Sequence, residues 1–182
     1  MAHNTVSRSL HDVGLAAWFG GTLANAVALN PAAAEADGTH AAGAVANTGW
    51  NRWTPVNAAA IALHVGGSVA QLAANQGRVA NQAGVGSMVL VKTTLTAAAL
   101  GATAYSRVLG KKVSQQVAVP ARSGTEPAAT TPKEVANAQR QLSVLQWVIP
   151  ALTGGLVVVS SLAGEQQRAT EVHKGLLARL GR

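Results

Sequence analysis

Residues 145–164 read LQWVIPALTGGLVVVSSLAG, and this stretch decides what kind of chain it belongs to. It lies inside a run, residues 141–164 between Arg140 and Glu165, that carries no Asp, Glu, Lys or Arg. A helix needs about 20 mainly apolar residues to cross the hydrocarbon core of a bilayer, and this Val- and Leu-rich segment supplies them. Three further segments share its character. Residues 13–34, between Asp12 and Glu35, and 53–77, between Arg52 and Arg78, are free of charge, and Val85 to Tyr105 is interrupted only by Lys92. The sequence therefore predicts an all-α fold, a four-helix transmembrane bundle with spans near 13–31, 56–75, 85–105 and 142–163.

Composition agrees. Only 12% of the residues are charged, against about 25% in a soluble domain, which is too few to coat a water-facing surface. An Ala-rich soluble bundle is the rival reading. Soluble helices carry a charged face at i, i+3 and i+4, and these segments do not. The formal charge of +7 suits anionic lipid headgroups. Lys and Arg form no stripe, and with one Phe and one Tyr nucleic acid is not an expected partner. The absence of cysteine excludes disulfides, thiolate nucleophiles and thiolate metal sites.

Between the spans the chain divides as follows. Residues 1–12 form a polar lead, and no cleavable signal is apparent, so the first span reads as an uncleaved anchor. Residues 13–112 hold the first three spans, with a connection over 32–55 that ends in GWNRWTP. Trp50 and Trp53 around Arg52 suit a membrane–water interface, as do Tyr105 and Arg107 at the close of the third span. Thr54-Pro55 suits a helix start. Residues 113–132, with Pro, Ser, Thr and Gly and no periodicity, predict a mobile loop between helices 3 and 4. Helix 4 occupies 133–164. The basic tail, 165–182, places Val172, Leu176, Leu177 and Leu180 on one face of an amphipathic helix. Lys and Arg are balanced between the two sides of such a bundle, so orientation rests on Arg8 before the first span and Glu35 and Asp37 after it, which favours cytoplasmic termini.

Glycine doublets recur inside the spans at Gly20-Gly21, Gly66-Gly67 and Gly154-Gly155. Aligning the first two also matches Thr22 with Ser68 and Asn25 with Gln71. Mid-helix glycine costs about 1 kcal/mol relative to alanine in water, whereas in lipid small residues let helix axes approach. The doublets predict a packing seam, with the neighbouring polar side chains bonding across it.

Chemistry-bearing residues are sparse. Lys92 is the one formal charge inside a span and, like His64, a candidate for a polar path with Asn25 and Gln71; a snorkelling Lys92 is the plainer reading. His64 with Met88 is a thin ligand set for haem or copper, so no cofactor and no metal are expected. No hydrolase elbow, phosphate-cradling loop, carboxylate pair or zinc spacing occurs, which leaves no enzymatic motif.

LHDVGLAAWFGG (Leu10 to Gly21), RWTPVN (Arg52 to Asn57), ATAYSRVLG (Ala102 to Gly110) and QWVIPALTGG (Gln146 to Gly155) together resemble an uncharacterised group of small actinobacterial integral membrane proteins. The Trp-x-Gly-Gly of the first span is also similar to small copper-resistance-type membrane proteins, which would carry more His and Met in their spans. The resemblance implies membrane placement and no mechanism. Three functions are expected in order: a non-enzymatic accessory or scaffold subunit of the cell membrane, packing against lipid, other membrane proteins or further copies; a small carrier or channel; and a haem or copper protein.

Overall fold

The computed structural model describes residues 4–115 and 119–165. The amphipathic tail expected over 165–182 lies outside the described residues beyond Glu165. The described chain is all-helical, with four helices long and apolar enough to cross a membrane: Thr5–Ala34, Thr39–Ala74, Val85–Ser114 and Lys133–Glu165. The first is built from α1 (Thr5–Ala24), a π-helical turn (Asn25–Leu29) and α2 (Asn30–Ala34). The others are α3 (Thr39–Ala74), α5 (Val85–Ser114) and α6 (Lys133–Glu165), with the short α4 (Gln76–Asn81) between α3 and α5.

The helices outrun the boundaries expected from sequence. The first span passes through Pro31 rather than stopping there, because the widened turn at Asn25–Leu29 accommodates the proline ring. The expected connection over 32–55 shrinks to residues 35–38, and α3 already starts at Thr39. Pro55 therefore sits inside a helix instead of opening one, and the Thr54 hydroxyl donates to the Trp50 carbonyl at 2.8 Å in the turn before it. Gly38 (φ 91°) and Gly84 (φ 81°) take the positive φ that the chain reversals before α3 and α5 require.

Helices α1 and α3 form one antiparallel pair and α5 and α6 the other; the pairs are joined chiefly through α1 and α6. Helices α3 and α5 are not a packed pair. One core layer, Trp18, Ala60 and Ala99, with Ile61, Leu100 and Leu152 against it, fills the middle of the bundle. A second, of Leu109, Val113, Val119, Val135 and Ala138, lies at the end away from the termini. Only 11–33% of the residues in the apolar windows are buried. Val13, Val69, Leu90, Val144 and Val158 are all at least 60% exposed, and an apolar exterior of that extent is what lipid covers.

The segment expected to be mobile is docked over residues 119–132. Val119 and Ala121 are buried, Ala121 N–H donates to the Thr39 carbonyl at 3.0 Å, and Gly124 N–H donates to the Asn30 carbonyl at 3.3 Å. The Ala128 N–H bonds the Thr131 hydroxyl at 2.8 Å, and that hydroxyl donates to the Pro120 carbonyl. Gly43 makes room for this strap, since a Cβ there would lie 2.1 Å from the Val119 carbonyl oxygen. Polar composition alone does not reveal such docking, because its bonds are mostly backbone to backbone.

Candidate functional site

The glycine seam exists in a different register from the one the doublets suggest. Neighbouring residues on a helix point about 100° apart, so both members of a doublet cannot face one partner. A Cβ on Gly21 would overlap the Trp53 ring, one on Gly67 would lie 2.4 Å from the His11 nitrogen, and one on Gly154 would lie 3.1 Å from the Phe19 ring. Gly20, Gly66 and Gly155 face open space. Gly14, which the sequence reading passed over, packs as tightly: its Cβ would lie 2.4 Å from the His64 nitrogen. The contact is reciprocal. His11-Asp12-Val13-Gly14 and His64-Val65-Gly66-Gly67 are the same His-x-x-Gly pattern, and in the antiparallel pair α1/α3 each glycine receives the backbone of the other's histidine.

This close approach brings two imidazoles together inside the bundle. His11 and His64 are 1% and 0% exposed, with ring centroids 4.5 Å apart, and the Trp18 ring lies 5.9 Å from His64. His11 Nδ1 donates to the Asp12 carboxylate at 2.7 Å, and His64 Nε2 lies 3.5 Å from the Thr96 hydroxyl. His11 Nε2, His64 Nδ1 and Trp18 Nε1 are buried without a hydrogen-bond partner. Among the described residues no group of three His, Cys, Asp or Glu gathers as a metal site.

The polar side chains beside the doublets mostly do not bond across the seam. Thr22 donates to the Trp18 carbonyl, Ser68 to the His64 carbonyl and Asn25 to the Gly21 carbonyl, all one turn back on their own helix. Local back-bonding satisfies these groups without a partner helix. Only Gln71 reaches over, to the Ser7 carbonyl at 3.4 Å. Asn25 is buried at the π turn and lines neither large cavity, so it leaves the candidate polar path.

The tryptophans expected as interface anchors turn inward, because they lie on α3 and not on a loop. Trp50 Nε1 donates to Asn30 Oδ1 at 3.0 Å, and Trp53 lies over Gly21. Tyr105 is 49% exposed with its hydroxyl on Gln141. Arg107 lines a cavity. Neither of these two ends its helix, since α5 continues to Ser114.

Between α3 and α5 runs a groove of two lobes. The lobe toward the termini, about 370 Å³, is lined by Lys92, Thr96, Gln71, Asn75 and Arg78 among apolar neighbours. Burial and the nearby charge of Arg8 pull Arg78 below its usual pKa. The second lobe, about 290 Å³, is lined by Arg107, Trp53, Asn57, Thr103 and Gln146. Leu100 lines both lobes. Lys92, Thr96, Leu100, Thr103 and Arg107 thus form one stripe of α5 at i+3 and i+4 spacing. Asn57, Ile61, Val65 and Ser68 form the facing stripe of α3. Sequence reasoning named Lys92 and Arg107 separately; the periodicity joining them through Thr96, Leu100 and Thr103 is the signal it missed. Compared with protein-family models, curated proteins and solved structures, the chain matches none.

Proposed function

We propose that the protein is a non-enzymatic carrier of the cytoplasmic membrane, with both termini cytoplasmic, and that the α3–α5 groove is its path. The observation that carries this reading is the pair of largely apolar lobes meeting at Leu100, each with a cation and a few polar side chains on its wall. A hydrophobic constriction such as Leu100 can close a path without any charged gate. Neither Lys92 nor Arg107 forms an ion pair with another described residue. They make the path selective for negative charge. The membrane placement agrees with the resemblance to small actinobacterial membrane proteins. The accessory reading draws on the same groove, which a partner's helix would fill.

Because the chain lacks cysteine, single cysteines report access directly. Cysteine at Thr96 should react with a membrane-impermeant methanethiosulfonate from one side of proteoliposomes only. Cysteine at Thr103 should react from the other side, and cysteine at Leu100 slowly from either. The sulfonate reagent should outpace the trimethylammonium reagent at Thr96, and Lys92→Met should remove that preference. A groove unreactive from both sides is closed to solutes and ends the carrier reading; a stoichiometric protein bound in the groove would establish the accessory one.

A further inference from the structure

We propose that the lobe around Arg107 is a headgroup site for an anionic glycerophospholipid, which makes such a lipid the cargo of the groove; this rests on reading the groove as a carrier path. The first argument is the shape of the opening. Ala58 and Ala104 line this lobe and are exposed, and Val69 and Leu72, on the wall of the other lobe, are 63% and 44% exposed. The groove is therefore open along its side, toward the surface that lipid covers. A small aqueous anion in such a cleft would face hydrocarbon, whereas an amphiphile keeps its chains in the bilayer and presents only its head to the wall.

The second argument is spacing. At ~1.5 Å rise per residue, Lys92 and Arg107 lie roughly 22 Å apart along α5, with Leu100 between them. A hydrocarbon core is about 30 Å thick, so each long cationic side chain reaches the headgroup level of its own leaflet. One cation per leaflet is the arrangement a lipid binding from either side needs.

The third argument is the polar inventory of the lobe. Trp53 Nε1, Thr103 Oγ1 and Asn57 Oδ1 all belong to residues lining it, and all three atoms are buried without a hydrogen-bond partner. Arg107, the indole N–H and the threonine hydroxyl are donors suited to a phosphodiester. Asn57 Oδ1 is an acceptor and suits a headgroup hydroxyl. A phosphate diester bearing free hydroxyls, as in phosphatidylglycerol, matches the whole set once these buried groups turn toward the lobe, while a choline head offers no hydroxyl and adds a cation beside Arg107.

The full chain, purified from an equimolar mixture of phosphatidylglycerol and phosphatidylcholine, should retain phosphatidylglycerol about tenfold over phosphatidylcholine in native mass spectra, the ratio expected from charge-assisted bonds to phosphate. Arg107→Gln should abolish the preference, and Trp53→Phe, which keeps a ring and removes the N–H, should reduce it a few-fold. Arg52→Gln, outside both lobes, should leave it intact, and equal thermal midpoints would show that all variants are folded. Equal retention of the two lipids by the unaltered chain overturns the proposal, as does a preference that survives Arg107→Gln. Free glycerol 3-phosphate matching the lipid in occupancy would assign the site to an aqueous anion and overturn it too. If thiol access to the groove holds while the lipid preference fails, the carrier reading stands and the cargo assignment falls.

Discussion

Gly67→Ala and Gly66→Ala, one residue apart, are expected to move stability in opposite directions. A methyl on Gly67 would lie 2.4 Å from the His11 nitrogen and 2.6 Å from the Ser7 carbonyl oxygen. Both obstacles are backbone of a packed helix, so α1 itself must shift and the His11–His64 layer must open. Overpacking of this kind costs about 1–3 kcal/mol, and the rigid obstacle puts Gly67 toward the upper end. At Gly66 nothing lies within 4 Å of the added methyl, and alanine gains up to ~1 kcal/mol of helix propensity there. The difference between the two variants should be about 3 kcal/mol, read from denaturation midpoints followed by circular dichroism in one detergent. Gly14→Ala should behave like Gly67→Ala, because its obstacles are the His64 nitrogen and the Ala60 carbonyl oxygen at 2.4 and 2.5 Å. Gly154→Ala should cost little, since the Phe19 ring it meets at 3.1 Å can yield. Equal effects at Gly66 and Gly67 would show that α1 and α3 do not meet in this register.

These glycines also show how far the sequence could be read. Four spans are legible because an apolar segment in lipid has one solution, a helix that satisfies its own backbone. Their ends are less legible. The stretch before Trp50 is rich in alanine and glycine, carries neither strong stop nor strong apolar character, and continues as helix. Pro31 and Pro55 look like boundaries but fall within helical spans. The doublets announce close packing, yet which glycine of each pair faces a neighbour depends on helix rotation, and rotation follows from packing partners the sequence does not name. The better clue was His11 and His64, each three residues ahead of a glycine. Lys92 and Arg107 share a stripe that spacing alone displays, but its meaning depends on α3 and α5 being the pair left unpacked. That choice is made elsewhere, by Gly14, Gly21 and Gly67 drawing α1 to α3.

Asn30→Leu is expected to release the strap over 119–132 and destabilise the far end of the bundle by about 3 kcal/mol. Asn30 is 2% exposed, and its side chain ties two elements at once. Its amide donates to Gln146 Oε1 on α6 at 2.8 Å, and its carbonyl oxygen accepts from Trp50 Nε1 on α3 at 3.0 Å. The strap closes over the same point, through Gly124 N–H on the Asn30 backbone carbonyl and Thr125 Oγ1 at 3.4 Å from Gln146 Oε1. Leucine has nearly the same size but strands the Trp50 N–H, at about 1–3 kcal/mol, and takes from Gln146 Oε1 its 2.8 Å donor, leaving it only the Thr125 hydroxyl at 3.4 Å. Gly124→Ala attacks the contact from the other side, since its Cβ would fall 2.1 Å from Asn30 Oδ1. Both variants should raise the rate of tryptic cleavage at Arg122, which lies on the strap, whereas Asn81→Ala, whose amide bonds only its own turn, should not. Trp50, Thr125 and Gln146 also wall the Arg107 lobe, so the released strap should speed thiol labelling at Thr103. Faster cleavage with unchanged labelling would mean that the strap covers the bundle end without shaping the lobe, and the lobe would then be held by α3, α5 and α6 alone.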